Sequence, residues 1–451
     1  MTTQKLIISC EYGPSVFALK DAASDLCEII WVVDLRTPEM AQVARLMSRM
    51  GTVVDLAGLS EAQLVEKLSG LNPDGLLSLS DRSTADMANV ALALGLEFHT
   101  PEVAGRLTDK LLQREALRGG GIPSPAFKGV PPDVDEADIE MLAGEVGFPS
   151  VLKPRQGNGS RNTYPVRDRE ELSRLLSEGG AFREEADGMI LEGYLPKADE
   201  RVSRFAPIVS VESFVRDGAI HHFALTGRLP FAEPFRETGS VLPSDVSLQD
   251  GTRAQSMAAD AIAALGVTCG CLHTELKFTP AGPRILEVNG RIGGGIPELV
   301  QLAGGDKSIL TLAMELALGV PTGLNPHYPR IGWRRTAPPP VSAGRIETIA
   351  GLESLKDVPG LGLVSINRDA GESVDWRHGF GDFVFQVYGT GDDYDEIERQ
   401  CALVDRVVSV TYSGGPAATA RIGVGDRPTG FESGRAVDTE DAFVEQSRRS
   451  A

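Results

Sequence analysis

The chain has 451 residues, of which 44 are Lys or Arg and 63 are Asp or Glu, so its formal net charge at pH 7 is −19. This acidic balance argues against nucleic acid or an anionic membrane as a partner, although a local basic cluster can still bind an anionic small molecule. The sequence has no run of about 18 apolar residues, no apolar signal segment and an odd number of cysteines, so we expect a reduced, cytoplasmic protein.

Strand and helix patterns alternate over the first hundred residues. The predicted strands and helices are, in order, strands 5–10, 29–33, 51–56 and 76–79, and helices 15–26, 38–50, 61–71 and 82–94. Because each strand is followed by a helix, this order predicts a doubly wound parallel sheet. The first strand–helix turn, residues 11–15, lacks the spaced glycines of a dinucleotide fingerprint, which argues against a nicotinamide dehydrogenase.

A mixed α+β pattern follows and contains every strong motif. A helix is predicted over residues 109–118 with Thr108 as its cap, and the glycines at 119–121 end it. The proline-rich segment 321–340 indicates a domain boundary. The predicted divisions are an N-terminal α/β domain at 1–105, a second domain at 106–320, a small C-terminal α+β portion at 321–425 and a charged tail at 426–451.

A glycine-rich loop follows the strand predicted to end near Lys153. The loop, residues 157–161, contains Gly157, Gly159 and Ser160. Backbone N–H groups of such a loop can bind phosphate oxygens, and Lys153 would add a point charge on the same phosphates. Lys110 is a second candidate, although a solvated helix lysine explains it equally well by itself.

A further strand, starting near residue 189, ends in an acidic residue and a short hinge. The hinge residues are Glu192, Gly193, Tyr194 and Leu195. Such a segment can present backbone N–H and C=O groups to the edge of an adenine ring. Alone, this segment would be unremarkable.

The most informative segment, residues 271–295, is predicted to form a hairpin with its turn at 280–282. Centring the hairpin there places Glu275 opposite Glu287 and His273 opposite Asn289, with Cβ atoms about 5 Å apart. Strict alternation also assigns Ile285 to this polar face. Opposed carboxylates repel unless a cation neutralises them, and Mg²⁺ prefers carboxylate and amide oxygens. We therefore predict a metal site.

Arg291 follows the hairpin and is placed to meet negative charge that develops next to the metal. A solvated hairpin face is the alternative, since Glu, Lys and Arg commonly line the wet side of antiparallel sheets. That alternative does not require the glycines at 293–295, which indicate a loop whose backbone approaches a ligand closely.

Taken together, these motifs resemble the ATP-grasp superfamily, and within it the carboxylate–amine ligases of the dipeptide-forming L-amino acid ligase type. The resemblance covers roughly residues 100–320 and depends most on HTELKF and RILEVNGRIGGG. It implies an N-terminal α/β domain, an ATP-grasp domain of two lobes with the nucleotide between them, and a small C-terminal α+β portion.

The resemblance also implies roles for individual residues. ATP phosphates would be bound by Lys110, Lys153 and the loop residues Gly157, Gly159 and Ser160. Adenine would meet Glu192, Tyr194 and Leu195, and Glu212 would approach the ribose or the second lysine. Mg²⁺, with Mn²⁺ as an alternative ion, would be held by Glu275, Glu287 and Asn289.

The implied reaction activates a carboxylate as an acyl phosphate, releases ADP, and forms an amide when an amine attacks. The substrates would be small molecules, expected to be amino acids, and the enzyme a homodimer. Arg291 would stabilise the oxyanion, while Glu237 and His273 are alternative bases for the amine; His273 is equally explained as a structural histidine. The alternatives are a purine-pathway ligase, a biotin-type carboxylase, or a catalytically silent ATP-binding regulator.

Overall fold

The computed structural model describes residues 3–9, 13–36, 38–131, 133–177, 185, 187–198, 202–321, 323, 326–356 and 358–414. Cys10, the first two residues of the first strand–helix turn and the predicted charged tail lie outside these residues. Within the described chain the strands form four sheets.

The N-terminal domain is a parallel sheet covered by helices on both faces. Its strands pair in the order β3-β2-β1-β4, and separate apolar clusters pack on its two sides. This confirms the predicted doubly wound sheet, with element ends shifted by a few residues. The elements are β1 (Gln4–Ser9), α1 (Val16–Ala23), β2 (Cys27–Val33), α2 (Pro38–Met47), β3 (Gly51–Asp55), α3 (Glu61–Ser69), β4 (Gly75–Ser78) and α4 (Asp81–Leu94).

Two helices, α5 (Pro101–Thr108) and α6 (Lys110–Gly119), lead from this domain toward the nucleotide motifs. The predicted Thr108 cap is wrong by one residue, because Asp109 caps α6 by accepting from Leu111 N at 2.9 Å and Leu112 N at 3.3 Å. The Thr108 hydroxyl instead donates to Ala104 O within α5, at 2.9 Å. The carboxylate at Asp109 therefore sets the start of the helix that carries Lys110.

A small lobe contains the glycine-rich loop. Its antiparallel sheet has the order β5-β8-β6-β7 and a compact apolar core of its own. The loop connects β6 to β7, so it begins at the carboxyl end of β6, where Lys153 lies. The elements are β5 (Phe127–Val130), α7 (Glu136–Val146), β6 (Ser150–Pro154), β7 (Tyr164–Val166), α8 (Arg169–Ser177) and β8 (Met189–Gly193).

The large lobe is built on an eight-stranded sheet of order β13-β12-β9-β10-β11-β14-β17-β16. This sheet runs without interruption past residue 320, so the C-terminal strands extend the sheet that carries the hairpin motif. Its elements are β9 (Ile208–Arg216), β10 (Ala219–Arg228), β11 (Gly239–Leu242), α9 (Leu248–Ala264), β12 (Gly270–Thr279), β13 (Gly282–Asn289), α10 (Ile296–Leu302), α11 (Ile309–Ala317), β14 (Ile331–Thr336), β16 (Leu361–Ile366) and β17 (Phe385–Gly391).

The rest of the C-terminal portion packs against the end of the large sheet. The strands β15 (Arg345–Ala350) and β18 (Ser409–Ser413) form a separate pair, and the predicted helix is confirmed as α12 (Tyr394–Val407). No helix in the described part of the chain is both long and apolar enough to cross a membrane.

The cap of α6 yields a stability prediction. Besides capping, Asp109 pairs with Arg155, with Arg155 Nη2 2.5 Å from its carboxylate. We expect Asp109→Ala to lower the free energy of unfolding by about 2 kcal/mol, because losing a cap costs about 1 kcal/mol and the ion pair is lost as well. Urea unfolding followed by circular dichroism measures this change.

The matched control is Asp135→Ala, which removes the exposed cap of α7, whose carboxylate accepts from Asp138 N at 2.9 Å. That variant should lose only about 1 kcal/mol. Equal losses in the two variants would show that the pair with Arg155 contributes nothing.

Candidate active site

At its polar pairs the β12–β13 hairpin has the register that the sequence predicts, although Thr279 lies opposite Gly282 and the turn is one residue shorter than predicted. His273 lies opposite Asn289 and Glu275 lies opposite Glu287, as expected. A register shift next to Glu275 then places Ile285 opposite Leu276, and Ile285 is fully buried in the apolar core. The prediction that Ile285 lies on the polar face is therefore wrong, because a β-bulge interrupts strict alternation.

His273 lies between two carboxylates. Its Nδ1 is 2.6 Å from Glu212 Oε1 and its Nε2 is 3.1 Å from Glu275 Oε1. Burial opposes charging of the ring, but the two carboxylates outweigh it and raise the pKa of His273 to about 9. A ring that is protonated near neutral pH cannot take a proton from an amine. The geometry therefore favours the structural interpretation of His273 over the role of base.

Glu212 does not lie where the resemblance implied. Its side chain is completely buried, and it accepts from the Ser210 hydroxyl at 2.9 Å and contacts His273. It contacts neither Lys110 nor Lys153 within the described contacts. We correct its role accordingly: Glu212 fixes the imidazolium that in turn fixes Glu275.

Two arginines that sequence reasoning missed, Arg228 and Arg334, fix the carboxylates of the site. Arg228 Nη2 is 3.2 Å from Glu275 Oε1, and Arg228 Nε donates to Glu237 Oε1 at 2.7 Å. The other oxygen of Glu237 is 3.3 Å from Arg334 Nη2, and Arg334 Nη1 donates to Gly294 O at 3.0 Å. Glu237 would have to exchange one of these arginines to act as a base, so that role stays a prediction.

Glu275 is held in its ionised form by these neighbours. Burial alone would raise its pKa, but hydrogen bonds from His273 and Arg228 hold the pKa well below its usual range. An ionised carboxylate is the form that binds a hard cation.

On the opposite strand, Glu287 pairs with Lys110. Lys110 Nζ is 2.9 Å from Glu287 Oε1 and donates to Gly157 O at 2.6 Å. Only 12% of the Lys110 side chain is exposed, so Lys110 is not a solvated surface lysine. Lys110 instead joins the hairpin to the glycine-rich loop.

A buried triad joins the small lobe to α6. Lys153 Nζ is 2.8 Å from Glu192 Oε2, and Arg114 Nε donates to Glu192 Oε1 at 2.8 Å. Burial opposes ionisation of Glu192, but Arg114 and Lys153 together lower its pKa to about 2. Two cations share one carboxylate, so the triad has unbalanced positive charge where a phosphate would be favoured.

The carboxylate of Glu192 belongs to this triad, while its backbone lies in strand β8, between β5 and β6. A contact of Glu192 with adenine stays a prediction. Tyr194 and Leu195 come directly after the strand, and the Tyr194 hydroxyl accepts from Lys277 Nζ at 3.1 Å. The backbone of the hinge remains the part that could meet adenine.

Arg291 is held by the N-terminal domain. Its Nε donates at 2.7 Å to Asp81 Oδ2, which also accepts from Asn158 Nδ2 in the glycine-rich loop at 3.0 Å. Sequence reasoning missed Asp81, although its position at the first residue of α4, directly after a buried strand, is a typical place for a site residue.

The donor set fits a hard divalent cation. No group of three or more His, Cys, Asp or Glu side chains with metal-site geometry occurs in the described residues. The candidate set is instead two opposed carboxylates, Glu275 and Glu287, with the amide of Asn289 completing the oxygen ligands. Such a set, shared with substrate phosphates, is what Mg²⁺ prefers.

The chain is similar in sequence to several curated proteins, while no family model matches it. It is 26% identical to an uncharacterized protein of Sinorhizobium fredii over 365 residues, 78% of this chain and 68% of that protein. It is 28% identical to carnosine synthase 1 of Homo sapiens over 60% of this chain, but this match spans only 33% of that protein. It is 22% identical to the L-arginine-specific L-amino acid ligase of Bacillus subtilis over 73% of this chain and 78% of that protein.

Solved structures with the same architecture cover nearly the whole chain. The L-amino acid ligase from Bacillus licheniformis superposes with a TM-score of 0.73 at 21% identity, over 92% of this chain and 100% of that one. Carboxyaminoimidazole ribonucleotide synthase from Aspergillus clavatus, solved with ATP, gives 0.68 at 15% identity, over 90% of this chain and 99% of that one. The biotin carboxylase domain dimer of Hydrogenobacter thermophilus 2-oxoglutarate carboxylase, solved with MgADP, gives 0.64 at 16% identity, over 92% of each chain.

These structures are ATP-grasp ligases, and the chain has the ATP-grasp fold. The resemblance inferred from the sequence is thereby confirmed. The named relatives include carnosine synthase 1 and an L-arginine-specific L-amino acid ligase, and the solved structures include complexes with ATP and MgADP.

The triad yields a prediction for acid stability. Because the pKa of Glu192 lies near 2 in the folded chain and near 4.5 when unfolded, its stabilisation is present above about pH 4.5 and lost as the pH falls toward 2. Glu192→Gln should therefore be less stable than the parent by about 3 kcal/mol at pH 7, a difference that shrinks toward pH 3. Urea unfolding at both pH values measures it.

Glu145→Gln is the control, because Glu145 pairs with Lys128 at the surface and both side chains are well exposed. Its effect should be under about 1 kcal/mol at either pH. A stability difference for Glu192→Gln that does not change with pH would contradict the assigned ionisation.

Proposed function

We propose that the chain is an ATP-dependent carboxylate–amine ligase that forms an amide or peptide bond between amino acids, with release of ADP and phosphate. The similarity to carnosine synthase and to two L-amino acid ligases supports this choice of substrates. ATP, with Mg²⁺ or Mn²⁺, would be the cofactor set, and the dimeric biotin carboxylase neighbour supports a homodimer.

One observation supports the proposal above all others: the site pairs opposed carboxylates with unbalanced cations. Glu275 and Glu287 face each other on the hairpin, while Lys153 shares Glu192 with Arg114 across the cleft. The first arrangement suits a divalent cation and the second suits phosphate. A triphosphate complexed with metal satisfies both at once.

For the first step, a substrate carboxylate would attack the γ-phosphorus of ATP to give an acyl phosphate and ADP. Lys110, Lys153 and the backbone N–H groups of the glycine-rich loop would spread the charge of the transferring group. Mg²⁺ bound by Glu275, Glu287 and Asn289 would neutralise the same phosphate oxygens. To take part, Lys110 must exchange Glu287 for a phosphate.

For the second step, an amine would attack the acyl carbon and form a tetrahedral oxyanion. Arg291 is the side chain we assign to that oxyanion, since its guanidinium lies at the end of the hairpin beside the metal ligands. Asp81 holds Arg291 in place before the charge develops. Glu237 is the remaining candidate for the base, and it is fixed between Arg228 and Arg334.

The direct test is a phosphate-release screen of amino-acid pairs, with the products identified by mass spectrometry. Bicarbonate with carboxylate or amine acceptors is included, because the carboxylase and purine-pathway neighbours have the same fold. Amide products that depend on one amino-acid pair support the proposal. Phosphate release that depends on bicarbonate, or no release with any substrate, would favour the carboxylase-type or the regulatory alternative, respectively.

A metal-ligand variant tests the hairpin. Glu287→Gln should reduce kcat by about a hundredfold or more at saturating Mg²⁺, because a neutral amide binds the cation and positions the phosphates poorly. The fold should persist, as shown by circular dichroism. Glu353→Gln, an 84% exposed glutamate of the C-terminal portion, should retain full activity. Unchanged turnover in Glu287→Gln would refute the metal assignment.

The fate of labelled oxygen tests the reaction class. An acyl phosphate requires cleavage between the β- and γ-phosphates, so ADP and phosphate are the expected products. When the substrate carboxylate carries ¹⁸O, the label should appear in the released phosphate, because that oxygen bridges carbon and phosphorus in the intermediate. Stoichiometric AMP, or phosphate without label during amide formation, would overturn the mechanism while leaving the fold intact.

A further inference from the structure

A short 3-10 helical segment of the C-terminal portion, Trp376–Asp382, contacts the glycine-rich loop. We call it the latch segment. Phe380 N donates to Gly159 O at 2.8 Å, and Asn162 N, one residue beyond the loop, donates to Arg377 O at 2.8 Å. Two backbone hydrogen bonds therefore join parts of the chain that are far apart in sequence and lie in different lobes.

The contact leaves no room for side chains on either side. Gly379 is buried with φ +58°, and a Cβ there would lie 2.1 Å from Gly159 O and 2.7 Å from Arg161 N. Conversely, a Cβ on Gly159, with φ +62°, would lie 2.7 Å from the Phe380 Cβ. Both glycines are therefore needed for this close approach, apart from any role of Gly159 toward phosphate.

The latch segment has a fixed shape. The carboxylate of Asp382 is buried, and it accepts from Asp375 N at 2.8 Å and from Arg368 Nη2 at 2.9 Å. At the other end, the Trp376 ring packs edge-on against Tyr164 of β7, with centroids 5.5 Å apart. The segment is thus anchored to both the C-terminal portion and the small lobe.

Phe380 also reaches the floor of the proposed substrate site. Its ring lies against the guanidinium of Arg334, whose Cζ is 5.2 Å from the ring centroid. Arg334 in turn bonds Gly294 O and Glu237. Phe380 therefore contacts Arg334 through its ring and the glycine-rich loop through its backbone N–H.

We propose that Gly379 and Phe380 are positioning residues that hold the glycine-rich loop closed and couple its closure to Arg334. This inference rests on the proposed function. When the loop opens, Phe380 loses its hydrogen bond to Gly159 and its support for Arg334 together. Closure would then exclude water from the acyl phosphate while Arg334 is held in position for the amine-attack step.

The first experiment needs no substrate. Trypsin cleavage after Arg161, within the glycine-rich loop, reports loop opening and is followed by mass spectrometry on the full chain. Gly379→Ala, whose Cβ would lie 2.1 Å from Gly159 O, should be cleaved there about tenfold faster than the parent, equivalent to about 1.4 kcal/mol. Phe380→Ala keeps the backbone N–H but loses the ring contact with Arg334 that anchors residue 380, and it should also be cleaved faster than the parent. Phe380→Tyr keeps the ring and should recover most of the protection, and cleavage at sites outside the glycine-rich loop and the latch segment should not change. Leu363→Ala, at a 52% exposed position on β16, is the matched control.

The second experiment measures coupling with an amino-acid pair that is active in the screen. Phe380→Ala should release about tenfold more phosphate per amide formed, because water reaches the acyl phosphate. A merely structural role would lower both rates together and leave this ratio unchanged. Leu363→Ala should keep the ratio of the parent.

The two experiments separate the inference from the proposed function. If no amide is formed with any pair, the proposed function fails, yet the cleavage after Arg161 still tests the latch segment. If Gly379→Ala does not fold, Phe380→Ala carries the same test. Parent-like cleavage after Arg161 in Phe380→Ala would overturn the inference, as would an unchanged phosphate-to-amide ratio.

Discussion

Two carboxylates facing each other across one hairpin are the constraint on which the site depends. Glu275 and Glu287 are opposed by register, and like charges in that position are destabilising. Cationic side chains neutralise both carboxylates: Arg228 and His273 contact Glu275, and Lys110 contacts Glu287. Each of those cations has a second partner in another element, so neutralising the hairpin also fixes the elements around it.

The same sharing of charge ties the two lobes together. Arg114 donates to Ile285 O at 3.0 Å and Leu286 O at 2.7 Å, the carbonyls next to the bulge in β13. Its Nε donates to Glu192 of the small lobe at 2.8 Å, and Glu192 in turn pairs with Lys153. The β-bulge thus leaves two carbonyls for Arg114, and Arg114 positions Lys153 of the small lobe through Glu192. Losing any one partner would leave a buried charge unpaired, which is costly.

The sequence was most informative where local rules decide the structure. Alternating strand and helix patterns predicted the N-terminal sheet. A turn centred on Ala281 predicted the pairing of Glu275 with Glu287, and this pairing is observed because the bulge offsets a turn that is one residue shorter, with Thr279 opposite Gly282. The bulge escaped prediction, since no residue pattern marks it, and it moved Ile285 to the core.

Other parts of the site come from contacts between distant segments. Asp81, Arg228 and Arg334 lie in elements that meet the hairpin only once the sheets have packed. The latch segment is an extreme case, because nothing in residues 376–382 alone indicates that they cover a loop of the small lobe. Such contacts follow from topology, which spacing along the chain does not encode.

The ion pairs of the site differ in how readily a ligand could replace them. Lys110 and Glu287 neutralise each other, and MgATP would offer a phosphate to the first and a cation to the second, so neither charge would be stranded. Lys153 can turn to a phosphate because Arg114 still neutralises Glu192. Glu275 is different, since Arg228 and His273 both contact its Oε1. They would not need to move if its other oxygen bound a metal. Under the proposed function, MgATP binding would therefore exchange the partners of these residues and would break no buried charge pair without replacing it.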